Sequence, residues 1–209
     1  MNTPPAIAVF EFDSIPVGVC AADAMVKKAR IDVLRIGTVQ PGKYIILIGG
    51  TVGDVGESRR EGLRVGGERV TDEIFLPDVH TQVFAAVGGH RQDNAGDALG
   101  IIETSAIPIN VAAADKAVKT AQVTIVEIRL GDGLGGKGIT MLTGLVHDVQ
   151  AAIAAGIAIA DRPGVTTRHT VIPIQDRELR ARIQAATELY PSGDGTRDQP
   201  TAGKRASRR

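Results

Sequence analysis

The chain has 209 residues, 24 of them Lys or Arg and 24 Asp or Glu, so its formal net charge at neutral pH is zero. That balance leaves no electrostatic footprint for nucleic acid or an anionic membrane, and a neutral chain with 43% apolar residues is instead prone to self-association. One cysteine, Cys20, excludes an internal disulfide framework, no Cys/His cluster has metal-ligand spacing, and with 3% aromatic residues and no Trp the cores must be built from Val, Ile, Leu and Ala.

The opening MNTPPAIAVF has neither a basic start nor a long apolar run, and no stretch of about 18 apolar residues occurs, which predicts a soluble, cytosolic chain. Ala6 to Phe12 (AIAVFEF) is short, β-branched and apolar and reads as a first strand. Ile-Pro then opens a helix from Ile15 to Ala29, with Pro16 in the first turn, where its missing N–H costs little. Val19, Ala22, Val26 and Ala29 recur at helical spacing and predict one stripe facing a core. Lys27 stands at the helix end, where a cation suits the dipole. A second strand (Ile31 to Ile36), a Gly-containing turn and a third strand (Tyr44 to Ile48) follow. Gly50 leads into a second helix, Val52 to Val65, charged at Arg59, Arg60 and Glu61, and a fourth strand, Val70 to Leu76, closes on Pro77.

Across Gly88 to Asp97, a polar connector rich in Gly, Asn and Asp, the pattern restarts. Ala98 to Thr104 repeats the first strand, with Glu103 in the register of Glu11. Ile107 to Ala121 (IPINVAAADKAVKTA) repeats the helix (IPVGVCAADAMVKKA) at a constant offset of 92 (115 − 23), so that Lys119 answers Lys27. Val123 to Leu130, Ile139 to Leu142, Val146 to Ala160 and Thr167 to Ile172, closing on Pro173, complete the second copy. The helix Val146 to Ala160 is nearly all Ala, Ile and Gly, which predicts that it is covered. A fixed-period repeat settles architecture before any single motif does. The order β-α-β-β-α-β, twice, predicts an α/β (α+β) chain of two ferredoxin-like domains, 5–87 and 98–190, each a four-stranded antiparallel-type sheet with helices on one face. From Pro191 onward the composition predicts a disordered, mildly basic tail, 191–209.

The copies differ in the turn between strands two and three. The first reads Gly37-Thr-Val-Gln-Pro-Gly42-Lys43; the second, Gly131-Asp-Gly-Leu-Gly-Gly136-Lys137-Gly138, is two residues longer, the offset becoming 94 (137 − 43). The second matches the spacing G-x-G-x-x-G of dinucleotide sites and begins like a P-loop. Both motifs place phosphates on the helix that follows, and here a strand follows, with Gly138 where Ser or Thr would hold magnesium. Cys20 reads as a small buried thiol. His80, His90, His147 and His169 occupy unrelated places, no nucleophile elbow exists and no acid–base pair can be nominated, so no catalytic residue is assigned and an enzyme is not expected.

Together these segments carry a resemblance. The repeated A-A-D-x-x-V-K helix, the Gly turn before a third strand, the G-x-V opening of the next helix and the proline-closed last strand resemble the bacterial microcompartment (BMC) shell domain. Two copies over roughly residues 5 to 185 resemble the tandem, trimer-forming class, nearest the T-type shell proteins of propanediol-utilisation compartments. The resemblance implies a homotrimer with pseudo-sixfold symmetry that makes lateral contacts with other shell proteins around encapsulated enzymes. It implies a pore for small polar metabolites lined by Thr38, Val39, Gln40, Pro41 and Gly42 and by Asp132, Gly133, Leu134, Gly135 and Gly136, and tile-edge roles for Lys27 and Lys119. In the propanediol class a cysteine before the Pro-Gly of the first turn ligates an iron–sulfur cluster; here that position is Gln40, so no cofactor and no metal are expected. Asp132 would set an acidic ring at the pore, or simply favour its own turn. A different class of reading keeps the ferredoxin-like trimer but gives Gly131 to Lys137 to an anion or nucleotide in a ligand-binding or regulatory protein.

Overall fold

The computed structural model describes residues 6–93, 95–185 and 187. They form two four-stranded antiparallel sheets of one topology, β2-β3-β1-β4 and β6-β7-β5-β8. In the first, β1 (Ala6–Phe12) lies between β3 (Lys43–Gly50) and β4 (Val70–Leu76), with β2 (Asp32–Val39) at the edge. In the second, β5 (Ala98–Thr104) lies between β7 (Gly138–Gly144) and β8 (Thr167–Ile172), with β6 (Val123–Leu130) at the edge. The register shift between Val33 and Arg35 in β2 recurs between Ile125 and Glu127 in β6. Strands β2 and β3 outrun their expected ends because the ladder continues to the turn itself, where Val39 faces Lys43.

Helices α1 (Ile15–Lys28) and α2 (Val52–Gly66) cover one face of the first sheet, and α4 (Ile107–Thr120) and α5 (Val146–Ala160) serve the second. Phe10, Phe12, Ile46 and Ile48 meet Ala21, Met25 and Val55 in one apolar cluster. Two short helices absent from the sequence reading follow the proline-closed strands: α3 (Thr81–Val87) and α6 (Arg177–Ala185). Each starts on a side-chain acceptor, His80 Nδ1 taking the Gln82 N–H and Asp176 Oδ1 the Glu178 N–H. Val79, Val83, Ala86 and Val87 join Ile7, Val9, Ile45, Leu47 and Ile74, the other face of the first sheet, in a single cluster. Strand β1 is therefore buried at every position, which explains a run that is apolar at every residue but Glu11.

Three expectations are corrected. Helix α1 turns Gly18, Ala21, Ala22 and Met25 inward, while Val19 and Val26 of the expected stripe are 48% and 50% exposed and Ala29 is only half-buried. The helix carries two adjoining stripes of small or apolar residues, and spacing alone does not say which one its own sheet takes. Cys20, expected to be a buried thiol, is exposed on the same helix. Helix α5 buries Val149, Ala152, Ile153, Gly156 and Ala160 but leaves Ile159 open, so it is covered on one side only. The tail from Pro191 lies outside the described residues.

One exchange shows how the copies diverged while keeping the fold. In the first domain the Tyr44 ring fills the space beside Gly18, where a Cβ would come within 2.5 Å of the ring. In the second, Asn110 stands at the place of Gly18 and Gly138 at that of Tyr44, and the buried Asn110 amide donates to the Ile102 and Gly138 carbonyls while its carbonyl accepts from Thr140 Oγ1 at 2.7 Å. The larger residue moved from the strand to the helix and the glycine from the helix to the strand, and the new polar group is satisfied.

Candidate functional site

The two unequal turns lie against each other. A Cβ on Gly136 would come 2.7 Å from the Gln40 carbonyl oxygen, and Gly136 has φ +77°, so both space and backbone demand glycine there. Lys43 Nζ donates to the Gly136 carbonyl at 3.1 Å, tying the base of the first turn to the second. The first turn closes with the Gly42 N–H on the Val39 carbonyl at 3.0 Å, the second with the Leu134 N–H on the Gly131 carbonyl at 3.1 Å. Thr38, Gln40, Pro41, Gly42, Asp132, Gly133 and Gly135 face outward on this paired surface, Leu134 is half-buried, and Val39 and Gly136 sit inside the junction. Val39 reaches towards Gly131, whose own Cβ position abuts Ile107. Arg129 holds the second turn by donating to the Asp132 carbonyl at 3.0 Å. Strand β7 follows this turn directly and Lys137 is engaged by Glu103 at 3.0 Å, so the glycine run aims no helix N-terminus and offers no uncommitted lysine to a phosphate.

Beneath the turns runs the seam between the domains, whose key residue shows in the sequence only as a repeated register. Glu11, with a side chain 3% exposed, pairs with Lys43 at 2.8 Å. Its Oε2 accepts the Ile107 N–H at 2.9 Å, so a residue of the first domain caps the N-terminus of α4 in the second, where a negative charge also suits the dipole. Lys43 donates in addition to the Ser105 carbonyl at 3.0 Å. Asp72 accepts the Ile109 N–H at 3.1 Å and meets Arg162. Further along, Asp115 Oδ1 accepts the His80 N–H at 2.8 Å, and Gln82 of α3 brackets the free edge of β6, donating to the Val123 carbonyl and accepting the Ile125 N–H. The signal available in the sequence was a lone carboxylate repeated inside two apolar strands, a position that burial forbids without partners.

The two lysines at the helix ends differ. Lys27 is exposed and meets Asp23 at 2.6 Å. Lys119 meets Asp115 at 2.8 Å and reaches across the seam to the Asp78 carbonyl. Among the described residues no group of three His, Cys, Asp or Glu side chains could hold a metal, and no helix is long and apolar enough to cross a membrane.

Paired domains of one topology, locked head to tail through a helix N-terminus and meeting at glycine turns, define a tandem α+β domain protein. The BMC domain model matches residues 6–79 and 98–175, and the chain belongs to that family. It is similar to the bacterial microcompartment shell protein PduT of Citrobacter freundii, 35% identical over 168 residues that cover 80% of this chain and 91% of that one. Similarity to the carboxysome assembly protein CcmO of a Synechocystis strain is weaker, 26% over 197 residues, covering 87% of this chain and 65% of the other. The crystal structure of a microcompartment protein from Desulfitobacterium hafniense DCB superposes with a TM-score of 0.75 at 43% identity, covering 84% of this chain and 98% of that one.

Proposed function

We propose that the chain is a non-catalytic structural shell protein of a cytoplasmic bacterial microcompartment. Three copies form a flat pseudohexamer, pseudohexamers tile laterally with other shell proteins around the enclosed enzymes, and the paired turns line a central opening for small polar metabolites. The observation that carries this reading is the abutment of the two turns through Gly136, Gln40 and Lys43. Six such turns, two from each chain, would meet around one axis, and a head-to-tail contact between like domains generates a ring when its rotation closes. The domains of this reading are 5–87 and 98–190 with 88–97 between them, and Lys27, exposed at the end of α1, is its tile-edge residue, with Lys119 as the second.

An axial iron–sulfur cluster does not fit the residues present. Gln40 stands before Pro41-Gly42, and the single thiol, Cys20, is on α1 and in neither turn. The expected outcome of anaerobic iron and sulfide reconstitution is no visible-range absorbance; a brown protein with charge-transfer bands would contradict this. The pore reading itself is tested by light-scattering mass on a sizing column, followed by electron microscopy of the concentrated peak. A mass of three chains that goes on to hexagonally tiled sheets supports it, and a stable monomer that never tiles opposes it. Thermal stabilisation by ATP or NAD would favour a ligand role for Gly131 to Lys137, since a ligand at a hundredfold its Kd adds about 2.7 kcal/mol. The expected shift is none.

A further inference from the structure

The grip of the first domain on the second has an unfilled counterpart on the same molecule. Its filled form is the Glu11–Lys43 pair, whose carboxylate holds the Ile107 N–H and whose ammonium holds the Ser105 and Gly136 carbonyls. One repeat later, Glu103 and Lys137 make the same pair at 3.0 Å on β5 and β7. Their side chains are 25% and 44% exposed, against 3% and 21% for Glu11 and Lys43. Glu103 also meets Arg168 at 3.3 Å, which occupies the place of Asp72 in the ladder.

The surface such a pair should grip is also present and uncovered. Ile15 opens α1 as Ile107 opens α4, after an N-cap residue, Ser14, that makes no side-chain cap. Around it Ile15, Val19, Val26, Val33 and Ile36 are 39% to 50% exposed. Their repeat counterparts Ile107, Val111, Val118, Ile125 and Ile128 are at most 8% exposed, because β1, β4 and α3 of the first domain cover them. The uncovered face is thus the same face that the internal seam already buries, on a helix that shares eight of its fourteen residues with α4.

We propose that Glu103 and Lys137 form an intermolecular clamp whose partner is a second copy of this chain. The Glu103 carboxylate accepts the N–H of Ile15 in the neighbouring copy, and the Lys137 ammonium donates to the carbonyls of Asp13 and Gly42 there, the counterparts of Ser105 and Gly136. Helix α6, standing where α3 stands after its strand, lies along β2 of the neighbour. The clamp rests on the three-chain ring proposed above and adds to it a coupling. Gly42 belongs to the first pore turn, so that turn is propped from outside its own chain, whereas Gly136 of the second is propped from within.

The test is sedimentation equilibrium of the full chain and of the variants Glu103→Ala, Glu103→Gln and Lys137→Met, with far-UV circular dichroism to confirm that each is folded. Neither residue touches the internal seam, so folded chains are expected throughout. Glu103→Ala and Lys137→Met should each raise the concentration for half-assembly at least about tenfold, the factor lost with one charged hydrogen bond per contact. Glu103→Gln, which keeps a carbonyl acceptor, should recover part of that loss. Should Glu103→Ala prove insoluble, Val19→Asp on the opposing face should weaken assembly in the same way. Variants that assemble at the parent's concentration would overturn the clamp while leaving the ring intact. A parent chain that stays monomeric, or that closes rings only with a different BMC-domain chain, would remove the self-assembled ring and the clamp with it.

Discussion

A single carboxylate decides how the two domains are joined. Glu11 is buried with an ammonium at 2.8 Å, a backbone N–H at 2.9 Å and the Thr71 hydroxyl at 3.1 Å, so each of its oxygens is occupied. Removing one partner of a buried pair leaves the other charge and its desolvation cost behind, typically about 3–5 kcal/mol. Glu11→Ala should therefore lower the unfolding free energy measured by urea denaturation by about that amount, with Lys43 left without its counter-charge and the Ile107 N–H of α4 without its acceptor. Glu103→Ala, in a site open to water, should cost the isolated chain under about 1 kcal/mol. Equal losses for the two variants would mean that the seam is not where the energy of joining resides.

At the scale of elements, the repeat made most of the fold legible. Eight strands and four long helices follow from hydrophobic runs, Ile-Pro openings and proline closures, and the second copy checks the first. What stayed hidden did so for physical reasons. Helices α1 and α4 share a pattern yet differ in burial, because what covers Val111 and Val118 comes from the other domain, and local periodicity carries no information about a distant cover. Helix α3 is seven residues long with no charged residue to mark an outer face, and α6 is too polar to show a core stripe. The Gly-rich turn was legible as a turn, but its abutment on Gln40 needed the fold. The exchange at Gly18 and Tyr44 gives an element-scale test. Gly18→Asn alone overpacks the ring and should cost about 1–3 kcal/mol. Adding Tyr44→Gly should give a double variant more stable than the sum of the single losses, by about 0.5–3 kcal/mol of coupling measured in a double-mutant cycle. Strict additivity would deny that the two positions compensate each other.

For the whole molecule, magnitudes favour a closed assembly over a dimer. Five apolar side chains, each about half exposed, stand on the uncovered face, and covering them gives on the order of 5 kcal/mol for one contact. Association costs about 4–15 kcal/mol, so one contact alone is marginal, while a ring gains three contacts for three chains. Tiling is separable from ring closure in this account: Lys27→Glu at the exposed end of α1 should leave the three-chain mass unchanged and abolish extended sheets in electron micrographs. Loss of the ring in that variant would place Lys27 in the seam instead. The central claim, that the contact between chains repeats the contact within one, is tested most directly by class averages of single particles viewed down the symmetry axis. The expected particle is a closed ring of three chains showing six near-equal lobes around a central opening. A two-chain particle, an open filament, or three lobes with unequal gaps between them would contradict it.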